Sequence, residues 1–311
     1  MESAPIWGIP PGENPVDFQL QAIPQLQGPL WHYPEVFKKI REIYDGRRLR
    51  IAVLDTGVED HPNLAPRVAE RSFIRGESVK DRNGHGTHVL GTIAGLDEDG
   101  VIIGAGPVFD TIVGKVLGNS GGGSSDGIAA GVRYAVDEGA NAINMSLGGG
   151  GRYGPMEEAL AYAKQHGCLG FSAAGHDPNS GVGYPVAYED SAAIAAMKSW
   201  TLPASFSSPG PQVDVSGPGV NIVSCRHTGG FVQMQGTSMA TPWVCGVTML
   251  AIGMMKMRGR PVPTDTEGLR RLWSNYVVDV HQPGEDNKTG QGVLMADKFL
   301  EDLASGDIEY V

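Results

Sequence analysis

Arg50-Ile51-Ala52-Val53-Leu54 sets four apolar residues behind one arginine and stops at Asp55-Thr56-Gly57. A short apolar run closed by turn-forming residues reads as a strand buried on both faces. Similar runs follow at 111–117, 140–145 and 168–174. Between them, 128–138 carries Ile128, Val132, Ala135 and Val136 at helical spacing. The segment 156–166 is bracketed by Pro155 and Gly167, a start and a stop for a helix. Strand and helix alternate with short links, which predicts an α/β fold: a doubly wound, mostly parallel sheet with helices on both faces. Further strands are expected at 192–197, 213–215, 222–224 and 231–235, then a long apolar helix from about Ser238 to Met257. In such sheets ligands gather outside the carboxyl ends of the strands, so the residues just past each run matter most.

Upstream of Arg48 the character changes. Residues 1–27 are rich in Pro and Gln, with Ile9-Pro10-Pro11-Gly12 and Ile23-Pro24 as extended or turn signals, and a short helix is expected through Val36, Ile40 and Ile43. Residues 1–47 therefore read as an N-terminal extension that packs on or masks its neighbour, or as a partly ordered tail. Residues 48–303 form the main domain and 304–311 a C-terminal tail.

The 311 residues carry a net charge of −11, which disfavours nucleic acid or anionic membranes as partners. Glycine, at 45 residues, stands at about twice its usual share and suits a fold with tight turns and close backbone approaches. Three cysteines, Cys168, Cys225 and Cys245, cannot all pair within one chain and read as reduced. With no basic, apolar leader at Met1, the expectation is a cytoplasmic protein.

Three stretches carry chemistry. Asp55 closes the first strand; alone it is an ordinary turn former. His85 lies in Asn83-Gly84-His85-Gly86-Thr87-His88-Val89, where the HxxH spacing raises a metal reading that lacks the acidic context of a zinc peptidase. Ser238 lies in Gly236-Thr237-Ser238-Met239-Ala240-Thr241-Pro242, at the opening of the apolar helix. It is either a helix cap or a nucleophile whose N–H faces developing negative charge.

Together, Asp, His and Ser in that chain order, within those three blocks, resemble the subtilisin-like serine peptidases. Ile143-Asn144-Met145-Ser146-Leu147-Gly148-Gly149 and Ala204-Ser205-Phe206-Ser207-Ser208 also resemble the family, and the similarity runs from about Arg48 to Leu303. It implies a serine endopeptidase working through an acyl-enzyme: Ser238 attacks, His85 takes and returns the proton, and Asp55 orients the imidazole. His88 is then a packed neighbour.

The resemblance also implies a groove that takes an extended peptide as an added strand, edged by Gly121, Gly122 and Gly123 on one side and by Ser146, Leu147 and Gly148 on the other. A specificity pocket would be walled by residues 146–148 and by Ala173 to Gly175, with Gly183 at its floor and Asp177 near its rim. Where the family places an asparagine that donates to the oxyanion, this chain has His176, followed by Asp177-Pro178. The oxyanion hole is assigned to His176 and Ser238, with His176 donating from a ring nitrogen either as a neutral tautomer or as imidazolium, the charged form being the stronger donor. The substitution leaves open a weakly active or inactive peptide-binding pseudoprotease, and a peptide ligase or macrocyclase is a third reading. No cofactor is needed for chemistry. A structural calcium is implied at Leu96, Glu98, Gly100 and Ile102 with Asn63, a stretch that reads equally as a solvated charged turn.

Overall fold

The computed structural model describes residues 6–8, 16–17, 49–95, 104, 108–149 and 151–305. Two short strands, β1 (Ile6–Gly8) and β2 (Val16–Asp17), precede the main domain. The domain begins with β3 (Leu49–Asp55) and β4 (Ala69–Ser72), then helix α1 (His85–Ala94), β5 (Phe109–Lys115), β6 (Gly122–Ser124) and α2 (Ser125–Asp137). Next come β7 (Ala142–Met145), β8 (Gly148–Gly149), α3 (Gly154–Gln165), β9 (Leu169–Ala173), β10 (Ala192–Ser199) and β11 (Leu202–Pro203). The last part holds β12 (Val213–Pro218), β13 (Ile222–Cys225), β14 (Phe231–Met234), α4 (Thr237–Met257), α5 (Thr266–Ser274), β15 (Val277–Val278), β16 (Val293–Leu294) and α6 (Ala296–Ser305).

The main sheet runs β15-β16-β12-β10-β9-β7-β3-β5-β4, with β11 paired to β10. Every neighbouring pair from β16 to β4 is parallel, while β15 and β11 are antiparallel additions. Its central strands are buried along almost their whole length, which is why they read as continuous apolar runs. One face packs against α1, α4, α5 and α6 and the other against α2 and α3, giving two separate apolar layers. This is the doubly wound architecture expected from the alternation. α4 is long and apolar enough to span a membrane by length and composition, but it is buried inside the fold.

The differences from expectation are local. α2 starts at Ser125, because Ser124 caps it by accepting from the Gly127 N–H at 3.1 Å. α6 runs to Ser305, past the expected boundary at 303. The helix expected at 36–43 lies outside the described residues. All three cysteines are buried and free, and burial pushes their thiols up, Cys168 to about 12, which leaves it protonated and unreactive at neutral pH.

Candidate active site

β3 is the point where the winding reverses: β5 pairs on one side of it and β7 on the other. The carboxyl end of such a strand opens into a crevice, and Asp55 is its last residue. α1 starts at His85 directly above. It can approach because residue 86 is glycine: a Cβ there would stand 2.1 Å from the Gly57 carbonyl oxygen and 3.2 Å from the Asp55 carboxylate. The result is a contact of 2.8 Å between His85 Nδ1 and Asp55 Oδ1. Asp55 is fully enclosed, and the same oxygen accepts the Thr56 N–H at 2.7 Å. Burial pushes the Asp55 carboxyl above its ordinary range, while the His85 charge and these hydrogen bonds pull it back.

The third residue comes from the far end of the chain. Gly236 caps α4 without a side-chain bond, so Ser238 is the second helical residue and not the cap. Its N–H belongs to the first turn, where N–H groups lack intrahelical acceptors and the helix dipole favours negative charge. The Ser238 hydroxyl donates to the Ser146 carbonyl at 3.3 Å. In return the Ser146 hydroxyl donates to the Ser238 carbonyl at 2.8 Å and accepts from Asn144 Nδ2 at 2.9 Å. These bonds fasten the end of β7 to the start of α4.

His176 follows β9 and is half-buried, with its ring 4.9 Å from that of Phe206. Its Nε2 accepts the Thr237 N–H at 2.8 Å. Only a neutral ring can accept at that nitrogen, so of the two forms the contact favours the uncharged imidazole. The Asp177 carboxylate serves its own loop: hydrogen bonds from Ser180 and from the Asn179 N–H hold it below the usual carboxylate range.

β6 and β8, the two expected groove edges, are not paired with each other. β1 lies between them, antiparallel to both, with Trp7 opposite Gly123 and Gly149, and Gly8 opposite Gly122 and Gly148. Gly123 must be glycine, since a Cβ would meet the Val116 carbonyl oxygen at 2.2 Å. Gly183 sits behind the second edge, where the next residue, Tyr184, exchanges two backbone bonds with Gly149. Leu147 is buried in the layer that packs α2 and α3. Ala173 closes β9, and Gly175 donates its N–H to Thr237 Oγ1 at 3.2 Å. The stretch Ile9-Pro10-Pro11 lies outside the described residues, and the observed pairing is made by the three residues just before it.

The HxxH pair is split. His88 is fully buried with Nε2 at 3.0 Å from the Ile222 carbonyl oxygen, and no group of three or more metal-binding side chains exists among the described residues. Positions 96, 98, 100 and 102 lie outside the described residues; Asn63 is buried, its N–H bonded to His61 Nδ1 at 3.1 Å.

Two supporting residues escaped the sequence reading. Asp81 is fully buried and accepts from Thr56 Oγ1, the N–H groups of Asn83 and Gly84, and both the N–H and hydroxyl of Thr87. It ties the strand end below Asp55 to the first turn of α1. Lys115, also fully buried, donates to the Thr56 carbonyl at 2.5 Å and to Asn119 Oδ1 at 3.0 Å, and pairs with Glu77 at 3.3 Å. An Asp two residues before Asn-Gly and a Lys at the end of an apolar strand were the available signals.

Residues 46–292 match the sequence profile of the subtilase family. The chain is 43% identical over 207 residues to a thermostable alkaline protease of Halalkalibacterium halodurans, a region covering 66% of this chain and 57% of that protein. It is 40% identical over 208 residues to alkaline elastase YaB of a Bacillus species, covering 67% of this chain and 55% of that one. Against subtilisin Savinase of Lederbergia lenta it is 39% identical over 259 residues, 81% of this chain and 90% of the relative. The chain thus spans little more than half the length of the first two relatives and most of the third. It belongs to the subtilase family.

Proposed function

We propose that this protein is a serine endopeptidase in which Ser238, His85 and Asp55 act as nucleophile, general base and orienting carboxylate. The observation that carries the reading is the 2.8 Å contact between His85 and a fully buried Asp55 at the switch point of the sheet. For attack, the Ser238 hydroxyl turns from its long bond to Ser146 and gives its proton to His85, while Asp55 stabilises the imidazolium. The oxyanion of the tetrahedral intermediates before and after the acyl-enzyme is met by the Ser238 N–H in the first turn of α4, and His85 returns its proton to the leaving amine. A serine-directed phosphonate should label Ser238 and abolish cleavage of a denatured protein; labelling elsewhere, or cleavage that survives labelling, would sink the assignment. Mass analysis of the products separates hydrolysis from ligation and from binding without turnover.

Substrate binds as a strand between β6 and β8, and the N-terminal segment is an internal inhibitor seated in that groove. Support comes from β1, which already pairs with both edges. Trp7→Pro removes a ladder donor from β1 and is expected to raise hydrolysis of short peptides about tenfold or more. An unchanged rate would reject inhibition by this segment. A structural calcium at 96–102 and Asn63 rests on the sequence alone, and a melting temperature that chelator leaves unchanged would dismiss it.

A further inference from the structure

β14 is the outer strand of a hairpin with β13, and it leads through Gln235 and Gly236 straight into Thr237 and Ser238. Its outer edge is covered by β2, antiparallel, with Val16 opposite Gln233 and Asp17 opposite Val232. The N-terminal segment therefore meets the domain twice. β1 occupies the groove before the nucleophile, and β2 lies along the strand that carries the nucleophile's turn.

The chain direction is the same as a substrate's. β1 runs down β8 from Gly149 toward Ser146, whose carbonyl holds the Ser238 hydroxyl, and the chain then continues to β14. Residues before a cut bond would follow β1, and residues after it would travel toward the β14 edge. We propose that this edge, once β2 leaves it, is a second peptide-binding site, which takes the downstream part of an unfolded protein substrate as an added antiparallel strand. The inference rests on reading the N-terminal segment as an internal inhibitor.

Three physical points favour it. Recognition by a strand edge uses main-chain N–H and C=O groups, so a sequence-tolerant peptidase can use it on many substrates. A hairpin of two strands is marginal alone and gains from a third, and the uncovered edge of Phe231-Val232-Gln233-Met234 would otherwise present unpaired backbone beside apolar side chains. The reach also fits. Gln233 precedes Ser238 by five residues, and the inhibitory segment uses eight steps from Gly8 to Val16. At about 3.3 Å per residue, a substrate should engage the edge once it extends between about five and eight residues past the cut bond.

The test uses the full chain and two quenched fluorogenic peptides with identical residues before the cut, one ending two residues after it and one ending ten after it. In the Trp7→Pro background, adding Val16→Pro and Asp17→Pro removes both possible β2 donors and frees the edge. The expected result is a rise of about fivefold or more in kcat/KM for the long peptide, carried by KM, with the short peptide unchanged. Equal responses of the two peptides overturn the second site. If Trp7→Pro itself leaves the short peptide at the parent rate, the inhibitory reading fails instead. A gain confined to the long peptide would even then support the edge, and its absence would remove it.

Discussion

His85 and His176 both lie at the carboxyl end of the sheet, yet their partners ask opposite things of the proton. His85 sets Nδ1 against the carboxylate of Asp55, a neighbour that favours a charged imidazole. His176 sets Nε2 against the Thr237 N–H, a neighbour that favours the neutral ring. The first region is fully enclosed and fixed by Asp81, Thr56 and Lys115; the second is a half-buried loop beside the start of α4. One site thus joins a region built to carry transient charge with a region built to stay uncharged. Altering either should change the reaction in a different way.

The largest effect is expected in the enclosed region. Ser238→Ala should lower kcat by about 10⁶, as when a subtilisin triad loses its serine, and Asp55→Asn by about 10⁴ because the imidazole loses its orienting charge. Stopped acylation with intact peptide binding would be the signature. If Asp55→Asn costs less than tenfold, the contact to His85 is packing and the comparison between the histidines collapses.

Gly86→Ala tests how tightly that region is fitted. The new Cβ would collide with the Gly57 carbonyl oxygen and press on Asp55, so α1 must shift. A displacement near 1 Å between catalytic groups costs about 10²-fold in rate, and kcat should fall by that order while KM moves little. Parent kinetics in a folded Gly86→Ala protein would mean that the triad tolerates slack.

In the half-buried region the change should be a gain. Asparagine can accept the Thr237 N–H through Oδ1 and still present an amide donor, which an imidazole accepting at Nε2 does not offer from that nitrogen. His176→Asn should raise kcat about 10- to 100-fold, within the cost of one absent oxyanion donor. The parent kcat/KM should rise with pH to an alkaline plateau with no descending limb at neutral pH, since both imidazoles are then needed neutral. A bell-shaped profile that His176→Asn converts to a plateau would show that the charged ring is the working donor.

The same contrast explains what could be read from residue order. Strands such as β3, β5 and β7 are buried on both faces and announce themselves as apolar runs, and Asp55 sits where the first of them stops, whereas His85 and Ser238 open the helices α1 and α4. The groove edges could not be seen as strands: β6 and β8 are two or three residues long and mostly glycine, so no propensity marks them. They become strands only because β1 pairs with them. α5 carried signals that went unread, an Asp265 cap and Leu269, Leu272 and Trp273 on one face. The Asp81 web was faint in residue order because three of its five donors are backbone N–H groups, which any sequence supplies.

The smallest effect belongs to Asp177, next to His176. Its carboxylate is exposed and held below the usual range by Ser180 and then by the Asn179 N–H. A carboxyl whose folded pKa is depressed contributes order above its unfolded value and loses it as pH falls through the folded value. Loop protection at Asn179 should therefore persist through neutral and mildly acidic pH and disappear only below about 3.9, the ordinary aspartate value. Carbon NMR of the side-chain carboxyl against pH measures this directly, with amide exchange at Asn179 as the second reading. Because Asp177 gives its charge to its own loop, Asp177→Asn should leave the acid limb of kcat/KM in place while abolishing the Asn179 protection. A limb that moves with Asp177→Asn would mean that this carboxylate acts on the neighbouring imidazole, and the half-buried region would no longer be the uncharged half of the site.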